Sequence, residues 1–188
     1  NQGRLTTVGR SNNQAAISFL VVYGDAAKTT SFGHERNQRI VSAMITALRS
    51  FIPGHMARYS DEWTPNAFGD NFSAWGTPTI LIETGGLYGK NELHLVKMNF
   101  VAFMTALDAL TTGSESKQHP FVYTSLPENT SGGLYDFIFR RANIVDRNNG
   151  QVAQYADIAV NTERRRASFA APNFIRNIGQ LSALRGLE

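Results

Sequence analysis

The sequence predicts an α/β fold: a partial mixed or parallel sheet with packed helices, followed by a small β-rich C-terminal appendage. Residues 15–23 (AAISFLVVY) and 78–82 are short and almost continuously apolar, which is the pattern of strands buried on both faces. Residues 34–52 and 91–110 instead repeat their apolar side chains at helical spacing. Strand, helix, strand and helix in this order are typical of a sheet covered by helices.

The elements of the first 112 residues have visible boundaries. Gly24 and Asp25 end the first strand, and Pro53-Gly54 stops the first helix. The second helix carries a strong apolar stripe, formed by Leu93, Val96, Phe100, Phe103, Leu107 and Leu110. The polar segment 111–119 (TTGSESKQH) follows, and we therefore place a domain boundary between residues 112 and 113.

The remaining residues, 113–188, have the short segments of a small β-rich region. Residues 134–145 and 151–161 flank the sequence DRNNG, and an Asn-Gly pair between two such segments indicates a β-hairpin. Residues 173–188 contain spaced isoleucine and leucine residues, and we expect this tail to be irregular or to form a short helix.

Composition limits the classes of function. The chain has 188 residues, 42% of them hydrophobic and 18% charged, which is the composition of a globular protein. A net charge of +3, spread along the chain, does not favour nucleic-acid binding. The absence of cysteine excludes disulfides and cysteine-ligated zinc. We expect no membrane span, because no uninterrupted apolar run approaches about 20 residues.

The best candidate for chemistry is Glu83, in the stretch TPTILIETGG (77–86). Carboxylates are seldom buried without a partner, yet Glu83 comes where the most apolar strand ends. In open α/β sheets, ligands bind beyond the carboxyl ends of the strands, so this position favours a general base. The alternative is a structural acid that pairs with an arginine or caps the following loop.

Two other features are less specific. Residues 54–76 form a long segment rich in aromatic, glycine and acidic residues, which could line a pocket or simply cover the sheet. The four histidines, His34, His55, His94 and His119, form no H-x-x-E or H-E-x-x-H motif. Surface or capping roles are therefore favoured over metal binding for each of them.

The stretch RYSDEWTPNAFGDNFSAWGTPTILIETGG (58–86) resembles the second half of zinc carboxypeptidases of the carboxypeptidase A type. The similarity is closest to large bacterial members with an extra C-terminal region. It extends to the helix KNELHLVKMNFVAFMTAL and to the ending FIRNIGQLSALRGLE, so it covers nearly the whole chain. Its most specific part is the motif around Glu83.

The resemblance implies roles for four residues. Glu83 matches the general base, which takes a proton from a zinc-bound water and later delivers it to the leaving amine. Tyr59 is the best match to the family's mobile tyrosine, and Phe68 and Asp70 match the segment that forms the floor of the specificity pocket. The implied parent is a zinc metallocarboxypeptidase that removes C-terminal amino acids from peptides, in a bacterial periplasm or outside the cell.

The chain departs from the family's pattern at the metal site, since it contains no H-x-x-E. The family's third histidine ligand is closely followed by an Asn/Asp-Gln pair, and this chain begins Asn1-Gln2, so we expect that ligand just upstream of Asn1. On this interpretation, residues 1–112 are the C-terminal half of a catalytic domain, and residues 113–188 are the extra region. The missing N-terminal half would be its partner and would supply the zinc ligands.

If the N-terminal half of the catalytic domain is missing, further expectations follow for the chain by itself. The chain alone would bind no catalytic zinc and would be inactive. Its uncovered surfaces, a sheet edge near residues 15–23 and apolar helix faces, would favour self-association. Two alternatives for function stay open: a related zinc amidohydrolase acting on an acylated amino acid or a cell-wall peptide, and a non-catalytic module that binds peptides through residues 59–75.

Overall fold

The computed structural model describes residues 2–60, 62–145, 148, 150–162 and 172–188, which form a mixed α/β protein. The chain divides into two compact units, Asn1–Thr130 and Ser131–Glu188. The sequence places this boundary after residue 112, whereas the structure places it after Thr130. The reason is that residues 113–130 pack on the first unit: the Tyr123 hydroxyl, for example, accepts a hydrogen bond of 3.1 Å from the Val21 amide.

The bounds of the elements are as follows. The strands of the first unit are β1 (Thr7–Val8), β2 (Ile17–Val21), β3 (Met56–Arg58), β4 (Ile80–Thr84) and β5 (Asn129–Thr130). Its helices are α1 (Phe32–Leu48), α2 (Phe68–Ala74), α3 (Glu92–Thr112) and α4 (Phe121–Thr124), with a 3-10 turn at Ser114–Lys117. The strands of the second unit are β6 (Leu134–Tyr135), β7 (Phe137–Val145), β8 (Val152–Thr162), β9 (Asn173–Gly179) and β10 (Arg185–Gly186).

The predicted alternation of strands and helices is confirmed in β2, α1, β4 and α3, and the predicted hairpin is confirmed by the antiparallel pairing of β7 with β8. Within the hairpin loop, residues 146, 147 and 149 lie outside the described residues. Two expectations are wrong. The segment 54–76 is not one loop but contains β3 and α2, and the tail contains the strand β9 rather than a helix.

A three-stranded sheet in the order β3-β2-β4 forms the centre of the first unit. Strand β2 pairs in parallel with β3 and antiparallel with β4, and all five of its residues are buried. The expectation of an uncovered edge near residues 15–23 is therefore wrong, since β2 has a neighbour on each side. Strand β4 has no residue in the buried class and, among the described strands, only one partner.

Helices α1 and α3 cover one face of this sheet. Ser31 caps α1 by accepting a hydrogen bond of 3.1 Å from the His34 amide, and Asn91 caps α3 in the same way through the His94 amide, at 3.0 Å. Gly113, with a φ of 71°, ends α3 in the left-handed conformation. The buried core between helices and sheet includes Ile17, Phe19, Val21, Ile40, Ile45, Leu48, Met98 and Ala102.

Helix α3 packs on the core with a face that differs from its large apolar stripe. Its buried residues are Leu95, Met98, Ala102, Ala106 and Ala109, most of them small. The large side chains of the stripe lie on the exposed side. Among the described residues α3 is also the one helix long and apolar enough, by length and composition, to cross a membrane, but a single such helix is weak evidence and 28% of its apolar window is buried inside the protein.

The second unit is an antiparallel sheet in the order β7-β8-β9, with β6 and β10 paired in parallel beside it. The pairing of β7 with β8 shifts register between Phe139 and Ala142, where Arg141 has a φ of 52°. Asp157 of β8 stabilises this bulge. One of its carboxylate oxygens accepts the Arg141 amide at 2.9 Å, and the other accepts the Arg140 guanidinium at 2.8 Å.

These contacts predict a pH dependence for the second unit. The hydrogen bonds from the Arg141 amide and the Arg140 guanidinium lower the pKa of Asp157. A carboxylate whose pKa is lowered on folding stabilises the fold fully above its unfolded-state pKa of about 3.9, and this stabilisation is lost as the pH falls through the folded value. Asp157→Asn should therefore destabilise the pairing of β7 with β8 at pH 7. This loss of stability should become progressively smaller as the pH falls below about 3.9.

Hydrogen exchange of the β8 amides in both proteins, measured from pH 7 down to acid after correction for intrinsic rates, checks this expectation. A difference in protection that stays constant over the whole range would contradict it.

Candidate functional site

The register of the central sheet places Glu83 on the face that α1 and α3 leave uncovered. Glu83 pairs with Ser18, and Ser18 pairs with Ala57, so these three residues form one row across β4, β2 and β3. The neighbouring row contains Phe19 and Ile82, whose side chains pack in the helix-covered core. Since successive side chains point to opposite faces, the carboxylate of Glu83 lies on the other side of the sheet.

Glu83 lies near the carboxyl end of an antiparallel strand and not at the carboxyl ends of parallel strands. Because β4 runs antiparallel to β2, its carboxyl end lies beside the amino ends of β2 and β3. The rule that ligands bind at the carboxyl ends of parallel strands therefore does not account for this position. Its chemical interest comes instead from its half-buried place on the face opposite α1 and α3 and from the polar residues around it.

Gln2 is the centre of that polar surrounding. Its amide nitrogen donates to the carbonyl oxygens of Ala15, at 2.8 Å, and of Glu83, at 3.3 Å. Its amide oxygen accepts from the Ser18 hydroxyl at 2.8 Å and from the Asn129 amide at 2.7 Å. One side chain thus joins the N-terminal segment, β2, the end of β4 and β5.

The two glycines after Glu83 make this close approach sterically feasible. A Cβ atom on Gly85 would lie 2.3 Å from the Ala15 carbonyl oxygen and 3.0 Å from the Gln2 amide nitrogen. One on Gly86 would lie 2.9 Å from the Arg4 Cβ atom. Because atoms cannot approach so closely, only glycine lets the N-terminal segment pack against the end of β4.

Tyr59 lies on the same face of the sheet as Glu83. It follows β3 directly, its amide donates to the Phe19 carbonyl at 2.8 Å, and it stands two positions after Ala57. Alternation along the strand therefore directs Tyr59 to the Glu83 side. With strands about 4.8 Å apart, β3 and β4 are roughly 10 Å apart across β2, so the backbones of the two residues do not lie side by side.

Helix α2 lies toward the other end of the same face. Adding a Cβ atom to Gly69 would bring it within 3.4 Å of the Thr79 side chain and 3.7 Å of the Val22 side chain. Thr79 is four residues before Glu83, or about 13 Å along an extended strand. Phe68, at the start of α2, is 83% exposed, while Asp70 is buried and accepts a hydrogen bond of 2.9 Å from the Thr64 amide. Asp70 thus holds the preceding loop.

The histidines are dispersed. His34 is buried and stacks on Tyr23 with 4.1 Å between ring centres, so the expected surface role is wrong for this residue. His119 has the expected capping role, since its Nδ1 accepts from the Phe121 amide at 3.1 Å. His55 Nδ1 lies 2.8 Å from the Gln14 carbonyl and must carry the proton there, because a carbonyl only accepts.

Among the described residues, Glu83 belongs neither to a group of potential metal ligands nor to the main cleft of the first unit. Within the described ranges, no group of three or more His, Cys, Asp or Glu side chains could hold a metal ion. The largest cleft described, of about 690 Å³, opens between α1, α3 and residues 73–80, and Glu83 and Tyr59 do not line it.

Sequence reasoning selected Glu83 and Tyr59 as candidates, which stay predictions, but it did not foresee the contacts that join Gln2, Ser18 and Asn129. The glycine pair after Glu83 was the one local signal that another segment approaches the backbone there. Comparison of the chain with protein-family models, with curated proteins and with solved structures gives no match.

The Gln2 contacts predict a measurable loss of stability. Gln2→Ala would leave the fully buried Ser18 hydroxyl and the Asn129 amide without their partner. We expect the free energy of unfolding to fall by about 2 to 3 kcal/mol, which is the cost of leaving such groups unsatisfied. Urea denaturation measures the effect, and Gln154→Ala, at an exposed position of β8, is the matched control.

The steric requirement at Gly85 gives a second stability test. Gly85→Ala should lower the free energy of unfolding by about 1 to 3 kcal/mol, because the new methyl group meets a backbone carbonyl that cannot move aside easily. The control is Gly3→Ala, whose nearest neighbour would be the Thr6 hydroxyl at an ordinary 3.6 Å. Equal stabilities of the two variants would contradict the close packing at the end of β4.

Proposed function

We propose that this chain supplies the general base and one wall of the substrate site of a peptidase related to the zinc carboxypeptidases. The observation that carries the proposal is Glu83, half-buried at the end of β4 and on the same face of the sheet as Tyr59. The sequence resemblance around residues 58–86 supplies the reaction class. Helix α2 lies on this same face of the sheet, toward its other end.

The proposed partner is an N-terminal half of the same catalytic domain, which would supply the zinc ligands. The described contact that bears on this partner is the hydrogen bond of 3.3 Å from the Gln2 side chain to the Glu83 carbonyl oxygen, which packs the N-terminal segment against the end of β4.

The residues described do not by themselves fit a zinc site, since they contain no suitable group of three ligands. The proposal accordingly assigns no zinc ligand to them. What this chain contributes is Glu83, whose carboxylate would accept a proton from the water that attacks the scissile carbonyl and then donate it to the leaving nitrogen. Tyr59, on the same face, would contact the bound peptide.

The test is Glu83→Gln in the parent protein. The amide keeps the size of the side chain but cannot accept the proton, so kcat should fall by about 10²- to 10⁴-fold while bound zinc is unchanged. Glu35→Gln, the same change at an exposed position of α1, is the control and should retain activity. Near-normal peptide hydrolysis by Glu83→Gln, with zinc measured by metal analysis, would remove Glu83 from the mechanism.

A second candidate function, peptide binding without hydrolysis, is favoured by the aromatic side chains of and next to α2. Phe68 and Trp75 are 83% and 72% exposed, and Phe72 packs edge-on against Trp75. Such rings are common anchors for peptides. A parent protein that binds peptides, loses binding on Trp75→Ala and shows no hydrolysis would favour this function over the peptidase.

A further inference from the structure

The exposed side of α3 carries a regular row of large apolar side chains. We call its six residues the α3 stripe: Leu93, Val96, Phe100, Phe103, Leu107 and Leu110. Each of them is between 45% and 63% exposed. Folded monomers rarely leave a contiguous apolar patch larger than a few hundred Å² in water, so a surface of this kind marks an interaction site.

The spacing of the α3 stripe indicates what kind of partner fits it. The residues recur at intervals of three, four, three, four and three, an average of 3.4 that is close to the heptad value of 3.5. This is the pattern of the a and d positions of a coiled coil, in which two helices pack along one seam. The opposite face, with Leu95, Met98 and Ala102, is already buried in the core, so the stripe remains available to another helix.

The size of the stripe is comparable with one side of a protein interface. Six half-exposed large side chains, with the similarly exposed Met104 beside them, present several hundred Å² of apolar surface, since each phenylalanine alone offers about 150–250 Å² in full. A standard interface buries about 800 Å² on each partner. A second copy of the chain would present the same surface, which is the condition for a two-fold symmetric interface.

We propose that the α3 stripe binds the same stripe of a second copy as a parallel pair of helices. The charges beside the seam favour this arrangement. With Leu93 at an a position, Glu92 occupies the preceding g position and Lys97 the following e position, and both are exposed. In a parallel pair g faces e of the partner's next heptad, so Glu92 of each copy meets Lys97 of the other. An antiparallel pair does not bring these two positions together.

The first test is the oligomeric state of the 188-residue chain, measured by sedimentation equilibrium from micromolar to millimolar concentration. We expect a monomer–dimer equilibrium whose dissociation constant rises at least about 100-fold in Phe100→Asp, since a central apolar anchor is lost. Circular dichroism checks that this exposed substitution leaves the fold intact. A wild-type monomer throughout, or a Phe100→Asp dimer of unchanged affinity, would overturn the proposal.

The second test addresses the parallel direction and does not depend on the apolar residues. Glu92→Lys and Lys97→Glu should each weaken the dimer about tenfold, because each puts like charges opposite one another. Mixing the two variants should restore association, since both contacts of the mixed dimer again join a lysine to a glutamate. Asp108→Lys, on α3 but outside the seam, is the control. A mixture that associates no better than either variant alone overturns the parallel arrangement.

A membrane is the other surface that could cover the α3 stripe, and one further measurement distinguishes it. Cosedimentation with phosphatidylcholine vesicles should show no binding that depends on Phe100. Vesicle binding that is lost in Phe100→Asp, from a protein that is otherwise monomeric, would assign the stripe to lipid instead. Glu83 of β4 is not part of the α3 stripe, so Glu83→Gln should leave the dissociation constant of the dimer unchanged.

Discussion

The antiparallel pairing of β4 with β2 is the interaction on which the rest of the first unit depends. It makes β2 a central strand, and burial of all five of its residues follows. It also assigns the two faces of β4: Ile80 and Ile82 pack against the helix-covered core, while Glu83 lies on the opposite face. A register shift of one residue would bury the carboxylate under the helices, which is unfavourable, so the apolar pattern of both strands selects the observed register.

The same pairing explains why the N-terminal segment folds back onto the sheet. The end of β4 comes to lie beside Ala15, and the glycine at position 85 leaves room for the Gln2 side chain. Gln2 then satisfies a buried hydroxyl on β2 and the amide of Asn129. Such contacts contribute little individually, but removing one partner leaves several polar groups unsatisfied, which is why this small cluster orders the surroundings of Glu83.

Helix α3 has two apolar faces that differ in shape. The face with three alanines lets the helix approach the sheet and α1 closely, whereas large side chains there would hold it away. The face with phenylalanine and leucine is left outside, where water contact is unfavourable. The helix is therefore held in its own fold by small residues and leaves its largest side chains on the exposed side.

The sequence by itself determined the strongly periodic elements, α1 and α3, the apolar strands β2 and β4, the change of character in the second half, and the position of Glu83 at a strand end. These depend on short-range patterns that are visible within ten to twenty residues. The three-residue strand β3, the helix α2 and the strand β9 escaped prediction, since short segments carry too little pattern to distinguish strand, helix and loop.

Only the tertiary structure decided the direction of β4, the face to which Glu83 points, and the contact of residues 2, 18, 83 and 129 through one glutamine side chain. It also decided which apolar face of α3 is buried. The physical reason is the same in each case. Strand pairing and helix packing join residues far apart in the chain, and the choice between two apolar faces depends on the shape of the surface they meet rather than on hydrophobicity alone.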